Sequence, residues 1–137
     1  MKVIIWPFFG VGLDPVSEMR RFDRLSVGPE YEVSLEFQGR ELIGAVLQNI
    51  SACGCGLKLP RSEAAGLEAG LRFERLYLIH AALPFVPLEA TIVRMLGRAE
   101  GSREGYILLG LDFVYVSPTV EHLLQRHIDE QLNLSKA

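Results

Sequence analysis

The chain is poor in several features that would mark large functional classes. Its 137 residues include two cysteines and one tryptophan, and the formal net charge is −3. That balance argues against a protein that coats nucleic acid, whose affinity comes from many phosphate contacts made by surplus Lys and Arg. Cys53 and Cys55 are separated by a single glycine. A disulfide between such close neighbours is strained, and a zinc site needs further ligands at suitable spacing, so reduced structural thiols are expected. His80, His122 and His127 show no metal-ligand spacing, and neither cysteine has a sequence-local base to activate it. The expectation is a protein that is not an enzyme and holds neither metal nor cofactor.

Long apolar runs are also missing. The opening MKVIIWPFFGVGL resembles a signal peptide in outline, but Pro7 and bulky aromatics interrupt it, Asp14 follows, and no small-residue cleavage site appears. No window reaches the roughly 18 apolar residues of a spanning helix. A cytoplasmic protein without membrane insertion is expected, with residues 1–17 as an apolar arm. Trp6, Phe8 and Phe9 in that arm are either cover for the core or a stacking lid.

What is present is strand patterning. With 49% hydrophobic residues, the chain has the length and apolar content of one domain, assigned to 18–132 with a tail over 133–137. YEVSLEF (31–37) alternates strictly, with Tyr31, Val33, Leu35 and Phe37 on one face. Gln38-Gly39 supplies a tight turn, and ELIGAVLQNI (41–50) reads as the return strand of a hairpin. After NISACGCG the chain runs through LKLP into RSEAAGLEAG, whose small and polar residues read as a connection or a short helical turn. LRFERLYLI (71–79) places Leu71, Phe73, Tyr77 and Ile79 on one parity, VPLEATIVRML (86–96) places Val86, Leu88, Ala90 and Ile92, and YILLGLDFVYV (106–116) places Ile107, Leu109, Leu111, Phe113 and Tyr115. Successive strands without crossover helices predict a mostly β fold, a small antiparallel six-stranded barrel. Ser117 and Pro118 then open a C-terminal helix with Val120, Leu123, Leu124, Ile128 and Leu132 at helical spacing and Glu121, Arg126 and Glu130 in water.

Two short strings carry the functional signal. RRFDR (20–24) contains Arg20-x-x-x-Arg24, and NISACG (49–54) contains Asn49-x-Ser51-x-x-Gly54. Each alone is common; their order, with strands between them, is specific. In these motifs the chain resembles the PilZ domain family, bacterial receptors for the second messenger cyclic di-GMP. LLGLDF, with Gly110 and Phe113 one residue wider than the family pattern, and the C-terminal SPTVEHLLQRHI extend the resemblance over about 18–132.

The resemblance implies a split barrel that binds cyclic di-GMP, with Arg20 and Arg24 as principal clamps, Arg21 beside them, and Asn49, Ser51 and Gly54 on the opposite wall. Met19, where an arginine can hold a second intercalated ligand, favours one bound molecule. The chemistry is consistent: a guanidinium fork matches both phosphate and the O6/N7 edge of guanine and stacks on base faces. Asn49 suits the guanine edge, the Ser51 hydroxyl can meet phosphate or base, and Gly54 permits close backbone approach or a left-handed conformation. Asn in place of the family's Asp binds somewhat more weakly, because a carboxylate adds charge assistance. The expected output is ordering of residues 15–25 on binding, which alters a surface read in trans by a protein partner. The alternative is a protein-interaction module of the same fold, in pilus assembly or motility, that does not bind the nucleotide.

Overall fold

A computed structural model describes residues 23–97 and 105–136. Among these residues eight strands run in chain order: β1 Leu25–Ser26, β2 Glu32–Phe37, β3 Arg40–Glu41, β4 Val46–Ile50, β5 Gly54–Pro60, β6 Arg72–Ile79, β7 Leu88–Leu96 and β8 Tyr106–Val114. A 3-10 turn at Arg61–Glu63 follows β5, and a long helix, here α1, spans Pro118–Lys136. The strands form a single antiparallel sheet in the order β1-β4-β5-β8-β7-β6-β2-β3. The mostly β class with a C-terminal helix is as expected; among the described residues the strands number eight rather than six, two of them two-residue edge pieces, and the sheet is open, since β1 and β3 at its two ends do not pair.

The sheet curls around one core. Leu35, Leu47, Leu57, Leu59, Phe73, Leu76, Ile92, Ile107 and Leu111 all point into it and are essentially inaccessible. Ser117 opens α1 by accepting the Val120 N–H at 3.2 Å. Leu124, His127 and Ile128 are buried on its inner face while Glu121, Arg126 and Glu130 stay exposed. Burying each of the two aliphatic side chains contributes about 1.5–3 kcal/mol, which seats the helix on the core.

Four expectations change at this level. The hairpin after Phe37 is brief: Gln38 and Gly39, with φ of 54° and 79°, turn the chain into β3, and the chain leaves β2 within a few residues. Gly44, at φ +85°, redirects it, and β4 pairs with β1 and β5 instead. The stretch GCGLKLP, given no strand from the sequence, is a full strand; Cys55, Leu57 and Leu59 alternate inward between β4 and β8. In β6 an irregular register between Phe73 and Leu76 lets both point inward, so Leu76 and Leu78 are core, and Tyr77 and Ile79 are only partly buried. Tyr115 does not continue the inward row of β8, because its φ of 57° turns it out of the strand and leaves it 87% exposed.

Among the described residues, no helix is long and apolar enough to cross a membrane.

Candidate functional site

Arg24, the last residue of RRFDR, and Asn49, the first of NISACG, meet at one edge of the sheet. Ladder pairing sets Leu25 opposite Ile50 and Ser26 opposite Asn49. Residues two apart in a strand share a face, so Arg24 lies on the same side as Ser26, diagonal to Asn49. Its Nη1 donates to Asn49 Oδ1 at 2.9 Å. The bond orients an exposed guanidinium. Arg20 and Arg21, together with Met19 and the 1–17 arm with Trp6, Phe8 and Phe9, lie outside the described residues.

The remaining motif residues build the wall rather than project from it. Ser51 is 1% exposed. Its hydroxyl oxygen accepts the N–H groups of Cys53 and Gly54 at 3.2 and 3.1 Å and lies 3.3 Å from the Gly54 carbonyl oxygen, within a turn closed by Ser51 N–H to Gly54 O at 2.8 Å. This side chain satisfies backbone donors that a tight β4–β5 turn would otherwise bury unpaired. Gly54 is required by close approach: a Cβ there would overlap the Leu111 carbonyl oxygen of β8.

Beyond Asn49 the outer face is unusually bare. Gly56 of β5 stands opposite Asn49, Gly110 of β8 opposite Gly56, and Arg94 of β7 opposite Gly110. A Cβ on Gly56 would lie 2.8 Å from Asn49 Nδ2, so the amide occupies the space that the missing side chain leaves. Two adjacent glycines thus form a floor of backbone between Arg24 and Asn49 on one side and Arg94 on the other. The resulting open cavity is about 270 Å³, and Asp112 also lines it. Sequence reasoning singled out Gly110 and passed over Gly56 and Arg94. The alternation Gly54-x-Gly56, two glycines on one strand face, was the available signal.

Beneath the site, Cys55 is fully buried, and burial pushes its thiol pKa up to about 12 even with the Arg24 charge opposing. A thiol so hard to ionise is a packing group. Among the described residues, no three His, Cys, Asp or Glu side chains come together as a metal site. The arrangement offers cations, an amide and a flat floor, which suits a planar anionic ligand.

A family model described as the PilZ domain matches residues 18–130. Among solved structures, the chain is similar to YcgR from Escherichia coli in complex with c-di-GMP: 26% identity, TM-score 0.67, covering 85% of this chain and 47% of that one. The chain therefore spans about half the length of that YcgR chain. It is equally similar to the isolated PilZ domain of E. coli YcgR with c-di-GMP, at 26% identity and TM-score 0.67, covering 85% and 94% of the two chains. The K. pneumonia MrkH–c-di-GMP complex shares the fold at 15% identity and TM-score 0.68, covering 85% of this chain and 54% of that one. A comparison with curated protein sequences finds no match.

Proposed function

Because the chain belongs to the PilZ domain family, we propose that it is a receptor for cyclic di-GMP, bound on the outer sheet face across the glycine floor. The observation that carries this reading is the Arg24–Asn49 hydrogen bond at 2.9 Å, which joins RxxxR to NxSxxG at the edge of one cavity. Arg20 and Arg24 clamp phosphate and guanine, with Arg21 beside them. Asn49 reads the guanine edge, and Ser51 and Gly54 hold the turn that presents it. No chemistry is done on the ligand.

Two further features favour the reading. Arg20, Arg21, Arg24, Asn49, Ser51 and Gly54 all fall inside the family match over residues 18–130, and the 26% identical YcgR structures hold this ligand. The signal passes on because closing Arg20 and Arg24 over the ligand makes contacts that exist only in the closed form, which shifts the population toward a surface that a protein partner reads.

The test is titration calorimetry with cyclic di-GMP, with GMP and cyclic AMP as controls. Saturable binding on the order of micromolar, about −8 kcal/mol, is expected. Arg24→Ala weakens it by about 2–5 kcal/mol, the range for removing one partner of a hydrogen-bonded charge contact. Absence of heat and of any thermal shift at high ligand concentration overturns the reading in favour of a module that binds only proteins.

A further inference from the structure

We propose that Arg94 is a ligand-binding residue, the second cationic wall of the site, and that it makes the site prefer a two-phosphate dinucleotide over a mononucleotide. The proposal rests on the cyclic di-GMP reading above.

The backbone of β7 is built to aim this side chain. Leu88, Ala90 and Ile92 alternate into the core, so an unbroken strand would turn residue 94 inward as well. A register shift between Ile92 and Arg94 intervenes, and Arg94 emerges on the outer face opposite Gly110. Bulges of this kind re-aim one side chain at a local cost in ladder regularity, and they concentrate beside functional sites. Gly110 completes the arrangement: a Cβ there would lie 3.3 Å from Arg94 Cβ, so the glycine lets the arginine stem lie flat against β8.

Nothing structural consumes the charge. Arg94 is exposed, and among the described residues it makes neither hydrogen bond nor ion pair, whereas Arg40 and Arg72 pair with Glu63 and Glu89. It lines the same cavity as Arg24, Asn49 and Asp112. Arg94 and Asn49 sit three strand spacings apart across the order β4-β5-β8-β7, roughly 14 Å between backbones. A mononucleotide anchored at Arg24 and Asn49 carries its one phosphate group there and leaves Arg94 unfilled. A flat ligand with a second phosphodiester extends over the glycine floor and reaches it.

The experiment compares the full chain with Arg94→Ala, Arg94→Lys and Arg24→Ala, by calorimetry with cyclic di-GMP and by competition with GMP. Arg94→Ala is expected to weaken cyclic di-GMP binding about tenfold to a hundredfold, the loss of one charge-assisted contact. GMP affinity and the melting midpoint of the free protein stay unchanged, and Arg94→Lys, which keeps the charge without the fork, falls between. If Arg94→Ala binds cyclic di-GMP like the parent while Arg24→Ala does not, the inference is wrong and the receptor reading stands. A lowered free-protein midpoint, or equal losses for both nucleotides, would assign Arg94 a structural role instead. Failure of the parent protein to bind removes both readings together.

Discussion

Adding one methyl group at two glycines, two residues apart on β5, should give opposite results. In Gly54→Ala the new Cβ meets backbone: it would overlap the Leu111 carbonyl oxygen, with the Leu111 carbon at 3.2 Å and Asp112 Cα at 3.3 Å. A backbone atom cannot rotate away, so the ladder between β5 and β8 must part where Gly54 faces Asp112. The bond from Phe113 N–H to Cys53 O, 2.8 Å long, opens with it. Two backbone bonds at about 0.5–1.5 kcal/mol each, plus about 1–3 kcal/mol of overpacking, give a loss of roughly 2–6 kcal/mol. For a domain of this size that lowers the melting midpoint by about 10–20 °C. In Gly56→Ala the new Cβ meets only the end of a flexible side chain, Asn49 Nδ2 at 2.8 Å and Oδ1 at 3.1 Å. The amide swings aside and the exposed Arg24–Asn49 bond breaks, while the unfolded chain loses the extra freedom of glycine, about 0.5–1 kcal/mol in the opposite sense. Stability should hold within about 1 kcal/mol, and cyclic di-GMP affinity should fall about tenfold to a hundredfold. Thermal unfolding and calorimetry on the pair decide it. A Gly54→Ala protein that melts like the parent, or a Gly56→Ala protein that binds like it, would refute the account of this face.

Two other outcomes are expected. Gln38 occupies the left-handed region at φ 54° in the β2–β3 turn, a conformation that costs ordinary residues about 1 kcal/mol or more, so Gln38→Gly should raise the urea midpoint and Gln38→Val should lower it. His127 accepts from or donates to the Tyr31 hydroxyl at 2.7 Å, with the His80 ring 5.4 Å away and Glu130 on its own helix. Burial first, then the His80 charge, lowers its pKa, against a smaller opposing effect of Glu130; Tyr31 is raised by burial and by Glu30. A lowered histidine pKa means that the unfolded chain takes the proton first. Stability present above the unfolded value of about 6.5 is therefore lost as pH falls from there through the folded value. Urea titrations at pH 7.5 and about 5.5 should show that loss, and His127→Gln should flatten it; an unchanged slope in the variant would assign the pH effect to other groups.

Where a local pattern was strong and its environment ordinary, the sequence was a sufficient guide. Leu35 and Phe37, Leu88 through Ile92, Ile107 through Leu111, and the Ser117 cap with Leu124 and Ile128 all lie as their periodicities indicate. Errors fell where tertiary partners overruled local propensity. GCGLKLP carries two glycines and a proline and no β-branched residue, so nothing local marks it as a strand; it is one because β4 and β8 pair with it on both sides. β6 misled for another reason, since a bulge changes the face of every residue beyond it and alternation alone does not mark where the bulge falls.

The same division holds at the site. The order and spacing of Arg20, Arg24, Asn49, Ser51 and Gly54 in the chain carried the resemblance to the PilZ domain family, whose model matches residues 18–130. Only the tertiary structure separated their tasks, turning Ser51 inward to hold the turn and setting Arg24 on Asn49. It alone brought Gly56, Gly110 and Arg94 into one row, because cross-strand neighbours are chosen by register between segments that are distant in the chain, and no local pattern encodes that choice.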